Sequence, residues 1–124
     1  MPLSEVRKIS PHPQTAHPKV AVVIPSYKVS HHIVGVVQGI RPECHAIYVV
    51  DDGCPENSGK LIAEKIDSDR VTVLYNETNQ GVGGAVMVGY RQALADGADI
   101  IVKVDGDGQM NPALINKLIA PILS

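Results

Sequence analysis

Four short apolar runs rich in β-branched residues recur along the chain, and each is followed by a segment with helical spacing. The runs are KVAVVIPSY, HAIYVVDDG, VTVLYN and DIIVKVD. Continuous apolar runs of this length, bounded by proline, glycine or acidic residues, are typical of strands buried on both faces of a sheet. Strands that alternate with helices form a mostly parallel sheet through right-handed crossovers. The predicted fold class is therefore α/β, with alternating strands and helices.

The length of 124 residues allows one compact domain. Residues 1–18 contain four prolines and little apolar periodicity, so we expect a flexible arm there, followed by one domain over residues 19–124. The segment NPALINKLIAPIL is predicted to end the chain as a helix, since proline is favoured in a first helical turn. The segment GVGGAVMVGYRQALADG is predicted to form the preceding helix. Its residues predicted to face the core are Val86, Tyr90, Ala93 and Leu94.

Charge and hydropathy exclude several classes of protein. The formal net charge of −2 argues against nucleic-acid binding, because such proteins normally present a basic face. The apolar runs are far shorter than the roughly 20 residues that span a membrane. The first residues lack the apolar core of a secretory signal. Cys44 and Cys54 are expected to be reduced structural thiols, and these features together favour a cytoplasmic protein.

Ligands of parallel α/β sheets bind beyond the carboxyl ends of the strands, so the residues that follow the predicted strands form the candidate site. We expect the four loops to converge on one edge of the sheet. The candidates after the first two strands are Pro25, Ser26, Tyr27, Asp51, Asp52 and Gly53. The candidates after the last two strands are Asn79, Gly81, Gly83, Gly84, Asp105, Gly106, Asp107 and Gln109.

Asp105 and Asp107 are separated by one residue. In an extended chain their side chains share one side, roughly 7 Å apart at the backbone. Two carboxylates about 4 Å apart repel by about 4 kcal/mol at an effective dielectric constant near 20. A divalent cation removes this repulsion, and hard oxygen ligands suit Mg²⁺ or Mn²⁺. Gly106 leaves room for a bulky anion near the backbone, so the motif predicts a metal site beside an anionic ligand.

The segment DGDGQ is also similar to the opening of an EF-hand calcium loop. That loop is excluded, because its sixth and twelfth positions require glycine and glutamate and here hold Met110 and Asn116. An ordinary Asp-Gly turn with solvated carboxylates stays open. A phosphotransferase whose first aspartate is the nucleophile also stays open, although such enzymes usually carry that motif on their first strand.

Asp51 and Asp52 are adjacent, so their side chains point to opposite faces of a strand. One of them can face a ligand and accept an N–H group, such as a nucleobase imide, while the other caps the next turn. Tyr27 is a candidate for stacking on a base or for simple packing. The segment NQGVGGA opens a helix, where backbone amides attract phosphate. It matches neither the P-loop nor the dinucleotide-binding pattern.

The segments VVIPSYK, VVDDGCPENS, NQGVGGA and VDGDGQMNP, taken in this order and spacing, resemble the N-terminal half of family-2 glycosyltransferases. The resemblance spans Lys19 to Leu123 and is greatest to the polyprenyl- and dolichyl-phosphate sugar transferases. It implies a Rossmann-like sheet of the GT-A type that binds a nucleotide-diphosphate sugar, linked to UDP or GDP. The chain departs from these relatives at Lys28 and Val29, where they often carry Asn-Glu.

The resemblance implies that Pro25 and Tyr27 contact the nucleobase and that Asp51 or Asp52 binds its N–H group. It also implies that Asp105 and Asp107 form an Asp-x-Asp motif. The other expected members of the nucleotide-sugar site are Asn79, Gly81, Gly83 and Gly106.

In the family, the Asp-x-Asp motif holds Mg²⁺ or Mn²⁺ on the diphosphate. Gln109 matches a glutamine that assists in holding the metal in the related transferases. A cation at this place stabilises the negative charge that grows on the departing diphosphate. The family's acceptor site and catalytic base come from the segment that follows. We therefore expect the base beyond Ser124 and assign no catalytic residue within the chain.

This resemblance predicts an incomplete, inactive, donor-binding part of a transferase, truncated after the Asp-x-Asp motif. The implied acceptor is a polyprenyl phosphate, and the longer protein would lie at the cytoplasmic face of a membrane. The alternative is a stand-alone, non-catalytic module that binds nucleotide sugars. We also expect self-association, because a sheet that ends at its fourth strand leaves an open edge and Leu114, Leu118 and Ile122 form an uncovered apolar helix face.

Overall fold

The computed structural model describes Val6–Lys8, as backbone, and residues 18–106. The strands in these residues are β1 (Val6–Lys8), β2 (Val20–Ser26), β3 (Ala46–Asp52), β4 (Val71–Asn76) and β5 (Ile100–Lys103). The helices are α1 (Ile33–Gln38), α2 (Ser58–Lys65) and α3 (Gly81–Ala95). Four of these strands and all three helices occupy the segments that the sequence predicts.

The strands form one sheet in the order β1-β5-β2-β3-β4. β5, β2, β3 and β4 run parallel to one another, which confirms the predicted parallel sheet. The register places Ser26 opposite Asp51, and Asp52 opposite Asn76. The carboxyl ends of β2, β3 and β4 are therefore level with one another, and the loops that follow them open at one edge of the sheet.

The pleat of β2 sends alternate residues to opposite faces of the sheet, and each face is covered by different helices. Val20, Val22 and Ile24 lie in one buried cluster with residues of α1 and α2. Ala21 and Val23 lie in a second cluster with residues of α3. The helices therefore cover both faces, as expected of a parallel sheet with crossover connections.

Small residues form the inner face of α3. Its buried positions are Ala85, Gly89 and Ala93. A Cβ atom at Gly89 would lie 2.4 Å from Cγ1 of Val23, so the helix packs close to β2. Of the predicted inward residues, Ala93 is buried, whereas Leu94 is 48% exposed and that prediction is wrong. Close helix–sheet packing selects small residues here, and hydropathy alone does not reveal this.

β1 lies within the segment for which the sequence predicted a flexible arm. It pairs antiparallel with β5, and Val6 lies opposite Val102 while Lys8 lies opposite Ile100. The outer edge of β5, which was expected to be open, is thus covered by the chain's own N-terminal residues. The physical reason is that an edge strand offers unpaired N–H and C=O groups, which a short strand can satisfy. The edge argument for self-association is therefore wrong at β5.

Several predicted features lie outside the described residues, namely the helix that ends the chain, its apolar face, Asp107 and Gln109. Self-association therefore stays a prediction that rests on the apolar face of that helix alone. Within residues 18–106, the helices are too short or too polar to cross a membrane.

Gly89→Ala should destabilise the fold although alanine is the better helix former. The added methyl group would overlap Val23 and press on Val50, at 2.4 and 3.2 Å. Such overpacking typically costs about 1–3 kcal/mol, which outweighs the gain of about 1 kcal/mol from helix propensity. Urea denaturation monitored by circular dichroism measures the change in the free energy of unfolding.

Gly35→Ala is the matched control, because a Cβ atom at Gly35 in α1 would meet no atom within 4 Å. This variant should be as stable as the natural chain or gain up to about 1 kcal/mol. Equal effects of the two substitutions would contradict the close packing of α3 on β2.

Candidate functional site

A cavity of about 180 Å³ lies beyond the carboxyl ends of the strands. The ends of β2 and β3, the loops after β2 and β5, and the first turn of α3, which follows β4, all contribute to it, so the four strand ends converge as predicted. Its lining residues are Pro25, Ser26, Tyr27, Val29, Asp52, Val82, Asp105 and Gly106. Five of the residues singled out by the resemblance therefore share one cavity, and two of them are acidic.

Asp52 is the buried carboxylate of this cavity and is only 2% exposed. Its Oδ1 atom accepts hydrogen bonds from Nδ2 of Asn76 at 2.9 Å and from the backbone N–H of Gln80 at 2.8 Å. These bonds tie the end of β3 to the end of β4 and the start of α3. The Oδ2 atom accepts no hydrogen bond from the part of the chain that the structure describes. A buried carboxylate oxygen at a cavity wall is well placed to accept an N–H group from a ligand.

Asp51, the other acid of this pair, faces away from the cavity and bonds to the protein's own backbone. Its side chain is buried and accepts the backbone N–H groups of Cys54 at 2.8 Å and Gly59 at 2.9 Å. These bonds hold the loop between β3 and the first turn of α2. A Cβ atom at Gly59 would lie 2.7 Å from Cβ of Asp51, so only glycine fits the close approach. Asp51 does not line the cavity.

Asp105 is the more exposed acid of the cavity, and the cation beside it is a lysine. Nζ of Lys103 lies 3.2 Å from Oδ1 of Asp105. Lys103 was not predicted to belong to the site, although it sits two residues earlier and thus on the same side of an extended chain. Gly106 packs against the preceding loop, and a Cβ atom there would lie 2.9 Å from the carbonyl oxygen of Pro25.

Asp105 is the one predicted metal ligand among the described residues; a carboxylate suits a hard divalent cation but does not complete a metal site by itself. Asp105 offers a partly exposed carboxylate at the cavity wall. No group of three or more His, Cys, Asp or Glu side chains suited to a metal occurs among residues 18–106. The other two predicted metal ligands, Asp107 and Gln109, lie outside the described residues.

Tyr27 is 40% exposed at the cavity wall, which leaves part of its ring open to a ligand. Nζ of Lys28 lies 5.4 Å from the centre of this ring, within the range of a cation–π contact. Lys28 adopts a left-handed backbone conformation with φ of +56°. In the sequence, Lys28 stood out only as a departure from the family and had no predicted role.

Asn79, Gly81 and Gly83 are near the cavity but do not line it. Nδ2 of Asn79 donates to the backbone oxygen of Asp52 at 3.2 Å, and its Oδ1 accepts the N–H of Gly81 at 2.9 Å. Asn79 therefore closes the turn before α3. Gly81 has φ of +81°, and a Cβ atom at either glycine would meet nothing within 4 Å. The backbone of this first helical turn is open to an approaching ligand.

A buried polar cluster next to the cavity was not predicted. The Ser26 hydroxyl donates to Oγ of Ser58 at 2.7 Å, and the N–H of Lys28 donates to Sγ of Cys54 at 3.1 Å. Burial acts to raise the pKa of the Cys54 thiol. Hydrogen bonds from the Ser58 hydroxyl and from the backbone N–H groups of Lys28, Ser58 and Glu56 outweigh burial, so the pKa is lowered.

The other cysteine has the opposite electrostatic environment. Burial raises the pKa of Cys44 to about 11, and the nearby Arg70 offsets this only in part. The sequence assigned both cysteines the same structural role. The only signal that distinguishes them is position, since Cys54 follows the acidic strand end directly.

A second cavity, of about 220 Å³, lies at the opposite edge near the starts of β2 and β3. Its polar wall includes Tyr48, whose hydroxyl donates to Oδ2 of Asp96 at 2.5 Å. Burial, together with Asp96, raises the pKa of Tyr48. No candidate site residue within residues 18–106 lines this second cavity.

Asp51→Asn should lower stability, because the new NH₂ group cannot accept one of the two buried N–H groups that the carboxylate now satisfies. We expect a loss of about 2 kcal/mol in the free energy of unfolding, the cost of one buried unsatisfied donor. Chemical denaturation of this variant and of Asp67→Asn, a less buried acid, makes the comparison. The control should change stability by less than about 0.5 kcal/mol. Equal stability of the two variants would contradict the structural role of Asp51.

The glycosyl transferase family 2 model matches residues 21–124 of the chain. The polyprenol monophosphomannose synthase of Mycolicibacterium smegmatis is 35% identical over 114 residues, which cover 86% of this chain and 43% of that protein. The UDP-N-acetylglucosamine–dolichyl-phosphate N-acetylglucosaminyltransferase of Methanococcus voltae is 33% identical over 117 residues, covering 83% and 47%. The chain therefore spans less than half the length of these relatives.

Solved structures share the fold. Glucosyl-3-phosphoglycerate synthase from Mycobacterium tuberculosis, in complex with Mn²⁺, UDP and glucosyl-3-phosphoglycerate, superposes with a TM-score of 0.65 at 21% identity. The alignment covers 86% of this chain and 40% of that one. A mannosyltransferase from Pyrobaculum calidifontis, in complex with GDP-Man and Mn²⁺, superposes with a TM-score of 0.60 at 20% identity, covering 89% and 34%.

Proposed function

Because this chain belongs to glycosyl transferase family 2, we propose that it forms the donor-binding part of an enzyme that transfers a sugar from a nucleotide diphosphate to an acceptor. The observation that carries the proposal is the cavity at the carboxyl edge of the sheet. A buried carboxylate and a partly exposed tyrosine line its wall, together with a second, more exposed carboxylate.

Asp52 is proposed to recognise the nucleobase. Its Oδ1 atom is already bonded to Asn76 and Gln80, so Oδ2 is the atom available to an N–H group of the base. Tyr27 offers part of its ring for stacking, and Pro25 lines the cavity beside it. Asp51 is not assigned this role, because it does not line the cavity and its oxygens accept the backbone amides of Cys54 and Gly59.

The diphosphate is proposed to lie between Asp105 and the first turn of α3. Gly81 and Gly83 leave the backbone of that turn open, and the positive end of a helix dipole favours an anion. Asn79 shapes this turn through its bond to the Gly81 amide. Gly106 allows the Asp105 loop to approach Pro25 closely.

Asp105, with Asp107 and Gln109, is proposed to hold Mg²⁺ or Mn²⁺. When bound, the cation stabilises the negative charge that develops on the leaving diphosphate. The ion pair between Asp105 and Lys103 keeps this carboxylate balanced by a positive charge. Two structural neighbours were solved with Mn²⁺ together with UDP or GDP-Man, which supports a UDP- or GDP-linked donor.

The acceptor is proposed to be a lipid phosphate. The relative that is 35% identical is named a polyprenol monophosphomannose synthase, and the one that is 33% identical a dolichyl-phosphate N-acetylglucosaminyltransferase, which supports a lipid phosphate as acceptor. An ionised phosphate needs little help from a base when it attacks.

We propose that the acceptor site lies outside these 124 residues and that transfer takes place on the cytoplasmic side. The two buried, unpaired cysteines are compatible with a reducing compartment.

Binding of a nucleoside diphosphate should depend on the metal, because an anionic diphosphate meets the carboxylate of Asp105. We expect the affinity for UDP or GDP to fall at least about tenfold, or 1.4 kcal/mol, when Mn²⁺ is replaced by EDTA. Isothermal calorimetry with each nucleotide measures this directly. Asp105→Asn should remove most of the effect of Mn²⁺ and should raise the affinity in EDTA, because the diphosphate then no longer meets a carboxylate at this place. Equal affinity with and without Mn²⁺ would rule out a metal bridge, and no binding of either nucleotide would contradict the donor site.

Asp52→Asn should weaken nucleotide binding with little loss of stability. The amide oxygen can still accept from Asn76 and Gln80, whereas the new NH₂ group would face the N–H group of the base. Two opposed donors should cost about 1–3 kcal/mol of binding free energy, or about fivefold to 150-fold in affinity. The matched comparison is Asp51→Asn, which should mainly lower the free energy of unfolding, whereas Asp52→Asn should mainly lower the affinity for the nucleotide. A loss of stability at Asp52 equal to that at Asp51 would remove the distinction between them.

A further inference from the structure

The loop between β2 and α1 carries Tyr27 and Val29 into the cavity, and its backbone is strained between them. Lys28 has φ of +56°, a region that residues with long side chains seldom occupy. Such a conformation costs about 1 kcal/mol or more and persists only where neighbouring contacts hold it. The shape of the cavity wall therefore depends on the contacts that hold Lys28.

The contact at the strained residue is a hydrogen bond to sulfur. The N–H of Lys28 donates to Sγ of Cys54 at 3.1 Å, across 26 residues of sequence. Cys54 is only 6% exposed, and its own N–H donates to Asp51. The cysteine thus connects the loop after β2 to the carboxylate that holds the start of α2. A second hydrogen bond joins the same two loops: Oγ of Ser30 donates to Oε1 of Glu56 at 2.9 Å. This second bond is exposed to solvent.

The surroundings of this sulfur are those of an acceptor. The Lys28 N–H lies 3.1 Å from the sulfur. Burial acts to raise the pKa of the thiol, but hydrogen bonding by Ser58 and by the backbone of Lys28, Ser58 and Glu56 lowers that pKa. Negative charge on sulfur strengthens each of these hydrogen bonds. Cys44 shows the contrast, since burial raises its pKa and it lies in the main apolar cluster.

We propose that Cys54 is a positioning residue for the donor nucleotide. Its sulfur holds the Lys28 amide and thereby keeps Tyr27 and Val29 in the cavity wall. Cys54 does not line the cavity, so it acts through the loop and not through contact with the ligand. The inference rests on the donor-binding function proposed above and adds a determinant of that site in the β3–α2 loop.

Three variants test the proposal. Cys54→Ala removes the acceptor, Cys54→Ser keeps a smaller acceptor at the same place, and Cys44→Ala is the matched control in the apolar cluster. The measurements are calorimetric affinity for UDP and for GDP in Mn²⁺, the thermal unfolding temperature, and hydrogen–deuterium exchange of the Lys28 amide.

Cys54→Ala should speed exchange at Lys28 and weaken nucleotide binding by roughly fivefold, the equivalent of one hydrogen bond. Cys54→Ser should recover most of both effects. Cys44→Ala should lower the unfolding temperature but leave exchange at Lys28 and nucleotide affinity unchanged. If Cys54→Ala does not fold, Cys54→Ser decides the question. Slow exchange of the Lys28 amide together with near-natural nucleotide affinity supports the proposal. Fast exchange of that amide together with full nucleotide affinity overturns it.

The outcomes separate this inference from the function on which it rests. Unchanged exchange at Lys28, or unchanged affinity, in a folded Cys54→Ala chain would overturn the role of Cys54 alone. An equal loss of affinity in Cys44→Ala would do the same, because the effect would then follow general stability. Failure of the natural chain to bind either UDP or GDP would overturn the donor site and this inference together.

Discussion

Two adjacent carboxylates at the end of β3 organise the candidate site by facing opposite sides of the sheet. Asp51 binds the backbone amides of Cys54 and Gly59 and so fixes the start of α2. Asp52 binds Asn76 and the amide of Gln80 and so fixes the start of α3. Each buried charge is compensated by N–H donors, which is the condition for burying a carboxylate without a counter-ion. Asp52 and Val82, in the first turn of α3, both line the cavity, so the bond from Asp52 to the start of α3 sets one side of it.

The two carboxylates that line the cavity differ in burial and in the groups that they contact. Asp52 is buried and its partners are backbone or amide groups, so its position is rigid. Asp105 is more exposed and pairs with a lysine, so its partner is exchangeable. Both partners of this ion pair are partly buried, and such a pair near the surface contributes on the order of 1 kcal/mol. The proposed nucleotide-sugar site needs a carboxylate held rigidly beside the nucleobase. It also needs a carboxylate that can exchange its lysine partner for a metal ion.

The sequence by itself determined the four parallel strands, the helices between them and the position of the candidate residues at the strand ends. These features follow from local periodicity, since a buried strand and an amphipathic helix each show their pattern within a few residues. The sequence also showed that Asp51 and Asp52 point opposite ways. Only the tertiary structure decided which of them faces the cavity, because that depends on which helix covers each face of β3.

The tertiary structure alone also decided the inner face of α3, the pairing of β1 with β5 and the bond from Lys28 to Cys54. Leu94 was predicted to be buried and is exposed, because the helix approaches β2 so closely that only small residues such as Gly89 fit between them. The Lys28–Cys54 bond joins residues 26 positions apart, and β1 joins β5 across most of the chain. Contacts of this kind depend on how the packed elements meet in space, and no local pattern in the sequence encodes them.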